Sequence, residues 1–319
     1  MSKKRRRRKK SYTPVVLLSL LASVGIIAAG RLAGESVAPQ SHERSAAAGK
    51  ETVSELWTEP EPFALSPEIP EETVKTAQKT AFAYDELLGE EEGLHIYRIH
   101  GKDYRAILAV VEDATRLYVE TLDFYGGYGQ TLEQLMAKKG AIVGTNGGGF
   151  EDPNGEGNGG TPTGIVMVDG EYRWGGKWGE YDCLALTADG KLITGRRTGE
   201  YLESQHTLFA VSYGPALLVD GAIQEVYASQ PEPRTAIGQR ENGEILMLIV
   251  EGRQVGALGV DLVRLAEIMQ ELGAVNATNL DGGASSAIFY RGTLLNRPNG
   301  KGGMRPMPSA LLLTPAKEG

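Results

Sequence analysis

Glycine-rich turns that carry polar side chains are the segments of this sequence best suited to chemistry. Residues 144–160 read GTNGGGFEDPNGEGNGG, and eight of these 17 residues are glycine. Such a loop lets the backbone approach a ligand closely and can direct N–H groups at an anion. It is not a nucleotide-binding P-loop, because no Gly-Lys-Ser/Thr follows. Asn146, Gly147 and Gly148 are therefore candidate contacts to a polar ligand, and a flexible surface loop is the alternative.

The same loop contains the beginning of a calcium-binding pattern. Asp152, Asn154 and Glu156 place oxygen-bearing side chains at alternate positions, and Gly157 stands at the sixth position. A calcium loop of this kind ends in a bidentate glutamate at its twelfth position, where this chain has Thr163. No motif requires a cofactor, and calcium is kept as a hypothesis.

Two other segments supply one cation and one carboxylate. PEPRTAIGQ (231–239) places Arg234 and Thr235 at the start of an expected strand, and NLDGGASS (279–286) places Asp281 at the end of another. The rigid guanidinium fork suits a phosphate or carboxylate ligand. A carboxylate at a strand end can act as general base, nucleophile or metal ligand. A structural salt bridge and a simple turn cap are the corresponding alternatives.

The remaining candidates depend on a partner elsewhere in the chain. Glu251 ends the hydrophobic run LIVEGRQ, and beside Asp281 it could supply the second carboxylate that glycoside hydrolysis often requires. His206 is the best-placed histidine, although a lone histidine beside a strand is more often structural. No G-x-S-x-G, HExxH or CxxC occurs, so a serine triad and catalytic zinc have little support. Cys183 is the single cysteine, which excludes an internal disulfide and favours a small core residue.

From Leu94 onward the pattern is typical of a sheet-rich domain. Runs such as LHIYRIHG and EILMLIVEG are rich in β-branched and apolar residues, and the Asp-Gly pairs in VMVDGEY and LTADGKL favour hairpins. Helices are expected at TLEQLMAKKG and VDLVRLAEIMQELG, each closed by a glycine. Because the strands and helices do not alternate regularly, we predict an α+β fold. It comprises one domain, residues 94–319, with a mixed β-sheet and few helices.

The N-terminal region predicts attachment to a membrane. KKRRRRKK (3–10) precedes an 18-residue stretch without charge, 13–30, which as a helix would span about 27 Å. Positive charge beside such a segment stays in the cytoplasm. We therefore expect a basic cytoplasmic tail (1–12), a transmembrane signal anchor and an extracytoplasmic Pro/Glu-rich stalk (31–93) with a helix near 71–88. A cleaved signal peptide is the alternative.

The overall charge hides a division between this tail and the rest of the chain. The formal net charge is −8, from 33 basic and 41 acidic residues. Without the eight basic residues of the tail, 25 basic residues face 41 acidic ones. An acidic body argues against a nucleic-acid partner, because that affinity comes from clustered Lys and Arg. It would also repel an anionic substrate at long range, so Arg234 would have to act locally.

Several motifs, taken in order, resemble the phosphodiester glycosidase family, whose bacterial members are often labelled exopolysaccharide-related. The resemblance covers about residues 94–315 and rests on TNGGGF, PTGIVMVDG, SYGPALLVDG, PRTAIGQ, LIVEGR and NLDGGASS. PRTAIG and NLDGG are the specific motifs. Two positions depart from the family pattern: Gly149 stands at the first Phe of N-G-G-F-F, and Ala284 replaces the third Gly of N-L-D-G-G-G-S-S.

The resemblance implies hydrolysis of a sugar-1-phosphodiester at the anomeric centre. Asp281 would then handle water or the oxocarbenium-like carbon, Arg234 would hold the phosphate, and Glu251 is a second choice. The implied substrate-binding residues are Asn146, Gly147, Gly148, Thr235, Asn279, Gly282, Gly283, Ser285 and Ser286.

The sequence thus predicts a membrane-anchored, extracytoplasmic hydrolase that acts on a sugar-phosphate or polysaccharide substrate in a glycan or cell-envelope polymer. A non-catalytic saccharide-binding or envelope-assembly module on the same fold remains an alternative, because a fold does not fix a function. A hydrolase of a different bond in the envelope, using the same Asp281, is a further alternative.

Overall fold

The computed structural model of the chain describes residues 82–298 and 303–316. The expected cytoplasmic tail and transmembrane anchor lie outside the described residues, as does the expected stalk up to residue 81. Within the described ranges, the model contains no helix with the length and hydropathy of a membrane span.

Strands make up most of the described chain. They are β1 (Phe82–Glu91), β2 (Leu94–Gly101), β3 (Arg105–Val111), β4 (Leu117–Thr121), β5 (Val143–Asn146), β6 (Val166–Val168), β7 (Glu171–Trp174), β8 (Glu180–Thr187), β9 (Leu192–Thr198), β10 (Thr207–Ser212), β11 (Ala216–Val219), β12 (Ala222–Ile223), β13 (Arg234–Arg240), β14 (Ile245–Val250), β15 (Ala274–Leu280), β16 (Ile288–Tyr290), β17 (Thr293–Leu294) and β18 (Ser309–Leu313). The helices are α1 (Leu132–Ala137), α2 (Gly199–Ser204) and α3 (Leu262–Glu271).

These strands form three sheets rather than one. The largest has eight strands in the order β1-β2-β3-β14-β13-β15-β11-β12, and two five-stranded sheets have the orders β7-β6-β10-β8-β9 and β17-β16-β5-β18-β4. Every strand pairing within the described residues is antiparallel. The predicted abundance of strands and scarcity of helices is confirmed, but the predicted mixed sheet is wrong. Consecutive strands here are joined mostly by short turns, which favour antiparallel neighbours.

Two apolar layers cover opposite faces of the eight-stranded sheet. On one face, side chains such as Ile237 and Ile249 pack against residues of the two smaller sheets, including Phe209 and Leu311. On the other face, the alternate side chains pack against α3. Because successive residues of a strand point to opposite faces, the residues of β13 divide between these two layers. This division decides which functional side chains can meet.

The predicted helix near 71–88 is wrong over its described part. Residues from Phe82 onward form β1, which pairs with β2 along its length and joins it through a turn at Gly93, where φ is +66°. The good helix formers in this segment are overridden because pairing supplies the backbone with long-range hydrogen bonds. Gly89, expected to end the helix, instead lies in β1, where a Cβ atom would stand 2.6 Å from the Tyr290 ring. Strand β1 thus precedes the expected domain boundary at Leu94.

Other local predictions are confirmed. Helix α1 begins with a capping box between Thr131 and Gln134, and α3 begins at the side-chain cap Asp261. The Asp169-Gly170 turn joins β6 to β7 with φ of +54° and +78°, as a tight hairpin turn requires. Cys183 is a buried core residue with a free thiol.

Candidate active site

Asp281 lies where β15 ends against the beginning of β13. Leu280 pairs with Thr235 across these strands, and the chain then turns at Gly282 and Gly283. The Gly283 N–H donates to the carbonyl of Pro233 over 2.8 Å, and its φ of +59° favours glycine. The predicted role of these glycines is therefore in part geometric: they bring Asp281 close to the segment that carries Arg234.

A buried hydrogen-bond network lies beneath Asp281. The Asn146 amide donates to the Asp281 carbonyl over 2.6 Å, and its oxygen accepts from the Thr235 hydroxyl over 2.9 Å. The Thr235 and Ser286 hydroxyls are 3.2 Å apart. All three side chains are at most 1% exposed. The network holds the Asp281 backbone, and Asn146, Thr235 and Ser286 are placed for support rather than for the predicted direct substrate contact.

The backbone of Gly147 and Gly148 is also already occupied. Their N–H groups donate to the carbonyl and the hydroxyl oxygen of Ser309, over 3.0 and 3.1 Å. A Cβ atom at Gly147 would stand 2.6 Å from that hydroxyl, and one at Gly148 would stand 2.7 Å from the Ser212 carbonyl. These N–H groups are therefore not free for a ligand in this structure, and a substrate contact by the rest of the Gly147–Gly148 backbone stays a prediction. The glycines allow the turn after β5 to pack closely between β18 and β10.

The Asp281 carboxyl group has an unusual affinity for protons. Burial raises its pKa to about 6, because the charged form loses hydration. The Ser285 hydroxyl lies near and opposes this rise, although its geometry falls short of a regular hydrogen bond. The positive charge of Arg305 also lowers the pKa, whereas Asp152 raises it. A carboxyl group that titrates near neutrality is suited to proton transfer.

Arg305 forms a two-pronged ion pair beside this carboxyl group. Its Nη1 and Nη2 atoms each lie 2.8 Å from one oxygen of Asp152, and Nη2 also donates to the Gly157 carbonyl. The guanidinium carbon stands 4.7 Å from the centre of the Phe150 ring. Paired forks of this kind fix orientation as well as charge. Arg305 thus ties the glycine-rich loop to the Asp281 site.

This ion pair involves the residue at which the calcium pattern of the loop begins. Both Asp152 carboxylate oxygens are engaged by Arg305, and one also accepts from the Gly157 N–H over 2.6 Å. Asn154 lies in a short 3₁₀ turn with φ of +58°, and both it and Glu156 are exposed. Among the residues that the structure describes, no cluster of three or more acidic, His or Cys side chains could hold a metal ion. Asp152 thus serves an ion pair in this structure, and calcium binding by the loop stays a prediction.

Arg234 lies in a neighbouring pocket of about 260 Å³. Its Nε donates to the Val260 carbonyl over 3.0 Å, and its Nη2 donates to the Ser229 hydroxyl and the Gln230 carbonyl. Its Nη1 has no hydrogen-bond partner among the described residues, although the side chain is only 8% exposed. Burial lowers the pKa of the guanidinium, and Glu232 opposes this effect. Arg234 is thus a rigidly held cation with one donor edge free for an anion.

Asn279 adds an acceptor to the same pocket. Its amide nitrogen donates to the Gly214 carbonyl over 2.7 Å. Its side-chain oxygen is buried and has no partner among the described residues. An unpaired buried acceptor is costly, and a ligand hydroxyl or N–H could satisfy it. The predicted substrate-binding role of Asn279 therefore fits the geometry.

Tyr213 connects this pocket with Asp281. It lines the pocket, and burial of its hydroxyl raises its pKa to about 12, with Asp281 and Glu232 contributing in the same direction and Arg234 opposing. A Cβ atom at Gly282, the residue after Asp281, would stand 3.9 Å from Arg234 Cδ, so the turn that carries Asp281 lies directly against the Arg234 side chain. The two charged groups that the sequence singled out therefore belong to one site, although Arg234 and Thr235 point to opposite faces of β13.

Glu251 does not line the Arg234 pocket. No hydrogen bond or ion pair links its side chain to Asp281 within the described residues. Its role as a second carboxylate stays a prediction. The carboxylate that lines the pocket is Glu232, whose Oε1 lies 2.9 Å from Arg253 Nη2. Glu232 stands two residues before Arg234 in the sequence, and this closeness to the predicted cation could have identified it as a pocket residue. His206 is exposed after α2 and is not among the pocket residues.

Comparison with known families agrees with this site. The family model described as Phosphodiester glycosidase matches residues 139–314. The chain belongs to the phosphodiester glycosidase family. The matched range includes Asn146, Arg234 and Asp281 and ends one residue beyond β18. It also includes Arg305 and Tyr213, which the sequence motifs alone did not identify.

Relatives of this chain occur in animals and in bacteria. The bovine protein N-acetylglucosamine-1-phosphodiester alpha-N-acetylglucosaminidase is 29% identical over 192 residues, 53% of this chain and 35% of the bovine protein. The SPbeta prophage-derived protein YomE of Bacillus subtilis strain 168 is 25% identical over 235 residues, 68% of this chain and 35% of YomE. The chain thus spans about a third of the length of these relatives.

A solved structure supports the fold. The catalytic domain of the zebrafish N-acetylglucosamine-1-phosphodiester alpha-N-acetylglucosaminidase superposes with a TM-score of 0.57 at 19% identity. The match covers 76% of this chain and 86% of the zebrafish domain. At this identity the similarity establishes a shared fold.

Gly149, at the position where the phosphodiester glycosidase loop commonly has Phe, lies against Tyr213. A Cβ atom there would stand 2.5 Å from Tyr213 Cδ2 and 3.0 Å from the Thr163 hydroxyl. Its φ is outside the positive range, so steric room rather than backbone conformation favours glycine. We expect Gly149→Phe to displace the Tyr213 ring and to lower kcat/KM by about 10- to 100-fold, as overpacking of 1–3 kcal/mol would.

This coupling can be tested by a double-mutant cycle. The measurement is kcat/KM on a sugar-1-phosphodiester for the wild type, Gly149→Phe, Tyr213→Ala and the double variant. Removing the Tyr213 ring makes room for the introduced phenylalanine ring. The fold-loss of kcat/KM in the double variant should therefore be smaller than the product of the fold-losses in the two single variants. Fully multiplicative losses would contradict the steric coupling between these positions.

Proposed function

We propose that this protein hydrolyses a sugar-1-phosphodiester, breaking the bond between the anomeric carbon and the phosphate oxygen. The observation that carries the proposal is the closeness of the Asp281 turn to Arg234, whose Nη1 edge is free: a Cβ atom at Gly282 would stand 3.9 Å from Arg234 Cδ. Burial also raises the pKa of Asp281 to about 6, which suits proton transfer. Family membership adds support, and the bovine relative is named N-acetylglucosamine-1-phosphodiester alpha-N-acetylglucosaminidase.

The reaction can be assigned to groups of this chain. Water adds to the anomeric carbon while the carbon–oxygen bond to phosphate breaks, and the Asp281 carboxylate accepts a proton from the attacking water. The products are a free sugar and a phosphate monoester, whose departing oxygen carries the bonding electron pair. The Arg234 Nη1 edge holds the phosphate and offsets the charge that grows on it. A phosphate monoester leaves readily, so this reaction depends less on a general acid than ordinary glycoside hydrolysis.

The pocket also offers contacts for the sugar. The unpaired Asn279 oxygen can accept from a hydroxyl or acetamido N–H, and the Ser285 hydroxyl beside Asp281 can contact the attacking water. The Asn146, Thr235 and Ser286 network keeps Asp281 in place without contacting the sugar. Such fixed groups favour catalysis because they need little rearrangement during the reaction.

We also propose that this hydrolase acts outside the cell membrane on a glycan or cell-envelope polymer. The support is the basic run at 3–10 followed by the uncharged stretch at 13–30. An uncleaved anchor predicts that the intact chain sediments with membranes and that added protease removes the domain from spheroplasts. A chain that stays protected from protease would contradict this orientation.

The proposed reaction has a direct product test. The full chain is incubated with UDP-N-acetylglucosamine and with methyl N-acetylglucosamine-1-phosphate, and both products are measured over time. We expect free sugar together with an equal amount of UDP or of methyl phosphate, with the oxygen of labelled water in the sugar rather than in the phosphate product. Label in the phosphate would indicate phosphorus–oxygen cleavage and contradict the proposal. Tight binding without turnover across both substrates would support the non-catalytic saccharide-binding alternative.

A further inference from the structure

Exposed aromatic side chains gather in two glycine-rich loops outside the pocket. In the loop DFYGGYG (123–129), Phe124 is 87% exposed and Tyr128 is 82% exposed. The second loop, RWGGKW, begins with Trp174 at its edge, 36% exposed. Tyr125 of the first loop packs edge-to-face on Trp174, with ring centres 5.3 Å apart. We call Phe124, Tyr125, Tyr128 and Trp174 the aromatic rim.

The aromatic rim is joined to the candidate site through backbone contacts. Gly126 and Gly129 donate to the carbonyls of Gly160 and Asn158, each over 2.8 Å. These acceptors belong to the loop that Arg305 holds through Asp152 and the Gly157 carbonyl. The aromatic rim and the Asp281 site are therefore connected through a single glycine-rich loop.

A second connection passes through Trp174. A Cβ atom at the next residue, Gly175, would stand 2.8 Å from the Gly164 carbonyl. Thr163, the neighbour of Gly164, lies against Gly149, which in turn lies against Tyr213 of the pocket. The aromatic rim is thus linked to the pocket through a second series of contacts.

The loop that carries most of the rim is held in one conformation. The Tyr125 hydroxyl lies 2.8 Å from the Thr121 hydroxyl, and Thr121 donates to the Pro308 carbonyl over 2.8 Å. Lys138 Nζ donates to the Asp123 carboxylate over 3.1 Å. Because these contacts already order the loop, a ligand that meets its rings would lose little binding energy in ordering them.

We propose that the aromatic rim binds the glycan chain to which the scissile phosphodiester is attached. This proposal rests on the proposed function, and it extends the substrate from a single sugar-phosphate to a polymer. The negative face of an aromatic ring attracts the weakly positive C–H groups on the face of a pyranose ring. Each ring can meet one sugar while the sugar hydroxyls remain in water.

The composition of the rim favours a glycan over a protein partner. Every exposed large apolar side chain in these two loops is aromatic, whereas the loop at 254–258 exposes the aliphatic Val255 and Leu258. Protein interfaces need a contiguous, closely packed apolar core. A Cβ atom at Gly126, Gly127 or Gly176 would meet nothing within 4 Å, so the space beside these rings is open and each ring can stack on one sugar of a chain.

The test uses the full chain and a phosphomannan, a polymer with sugar-1-phosphodiester links, as the probe. The variants are Phe124→Ala combined with Tyr128→Ala, and Trp174→Ala alone. The matched control is Tyr84→Ala, which removes a 52% exposed aromatic side chain on the edge strand β1. Retardation in native gels that contain phosphomannan measures binding without turnover, and circular dichroism checks that each variant folds.

We expect the double variant to bind phosphomannan about tenfold or more weakly, with Tyr84→Ala unchanged. Its ratio of kcat/KM on phosphomannan to kcat/KM on UDP-N-acetylglucosamine should fall by a similar factor. Lost retardation in a chain with no turnover would support the rim and contradict the proposed function. If the double variant turns over both substrates with an unchanged ratio and is retarded as strongly as the wild type, glycan binding by the aromatic rim is contradicted and the proposed function stands. The same conclusion follows if phosphomannan does not retard the wild type.

Discussion

Asp281→Asn is expected to lower turnover of a sugar-1-phosphodiester by about 10² to 10⁴-fold, the usual contribution of a positioned general base. Asparagine has nearly the same shape, so the backbone contact from Asn146 to residue 281 should survive. What is lost is the group that accepts a proton from water. The measurement is kcat/KM for both proteins, with substrate affinity measured separately by calorimetry.

The pH dependence distinguishes the role of this carboxyl group. Because burial raises the pKa of Asp281 to about 6, a general base at this position would be protonated and inactive below that pH. Wild-type kcat/KM should therefore rise through pH 6 and reach a plateau above it. A rate that instead falls through pH 6 would make Asp281 a general acid and contradict the proposed base.

Stability should change in the opposite direction to activity. The folded-state pKa of Asp281 lies above its ordinary value of 3.8, so between about pH 4 and 6 the folded protein binds more protons than the unfolded chain. The contribution of the Asp281 carboxyl group to the free energy of unfolding is fully present below about pH 4 and is lost as the pH rises through 6. Asp281→Asn removes the titration, and we expect it to stabilise the protein at pH 8 by on the order of 2 kcal/mol and to have little effect at pH 4.

A matched control separates these effects from the loss of any carboxylate. Asp220→Asn changes an exposed aspartate in the turn between β11 and β12, where φ is +48° and asparagine is well tolerated. It should change neither kcat/KM nor the pH dependence of the melting temperature. Equal activity of Asp281→Asn and Asp220→Asn would remove Asp281 from the mechanism.

Arg234→Met is the second large expected effect, a loss of about 10² to 10³-fold in kcat/KM on phosphodiesters. The Arg234 guanidinium is held by the Val260 carbonyl and the Ser229 hydroxyl, with Nη1 left for an anion. Methionine keeps the volume and removes the charge. An uncharged aryl glycoside of the same sugar lacks the phosphate, so its hydrolysis should change much less. The measurement is therefore the ratio of kcat/KM on the two substrates.

Two further variants guard against a loss that comes only from misfolding. Arg234→Lys keeps a cation, and it should recover part of the phosphodiester preference without the forked geometry. Arg240→Met removes a guanidinium from the opposite end of the same strand, where it donates to the Leu272 carbonyl, remote from the pocket. If Arg240→Met altered the substrate ratio as much as Arg234→Met, the assigned phosphate contact would be wrong.

The acidic charge expected for most of the chain would repel an anionic substrate at long range, so Arg234 would attract the phosphate only at short range. Forty-one acidic residues stand against 25 basic ones outside the basic run at 3–10. The nearest cations to Asp281 and the pocket are themselves paired: Arg305 with Asp152, and Arg253 with Glu232. Arg234 differs from them, because the hydrogen-bond acceptors of its guanidinium within the described residues are neutral oxygens. Its positive charge is therefore not neutralised by a direct ion pair there.

Local sequence determined the elements whose signals are contained in a few neighbouring residues. Helix α3 follows from its apolar spacing, its cap Asp261 and its closing Gly273, and the Asp169-Gly170 turn follows from positive φ at both residues. The chemistry-bearing segments around Arg234 and Asp281 were also evident, because few residue types can hold a phosphate or transfer a proton. The motif order identified the family, which the match over residues 139–314 confirms.

Tertiary structure decided what those segments do. Strand β1 forms against its own helix propensity because β2 pairs with it, and the sheets are completed by pairings between strands far apart in sequence, such as β3 with β14. Asn146 and the glycines after it were predicted to contact substrate, yet their polar groups are used by Asp281 and Ser309. Asp152, a predicted calcium ligand, holds Arg305 from 153 residues away in sequence. No local pattern encodes a hydrogen-bond partner that folding brings from another strand.

The sequence by itself thus determined the reactive groups, the family and the short-range turns, because these depend on residue type and local spacing. Only the tertiary structure decided that Glu232 rather than Glu251 lines the pocket, and that Tyr213 stands near both Asp281 and Arg234. The physical reason is the alternation of side chains across β13, which sends Thr235 to the network beneath Asp281 and Arg234 to the pocket on the other face. Which face each residue reaches depends on strand register, and register is fixed by long-range pairing.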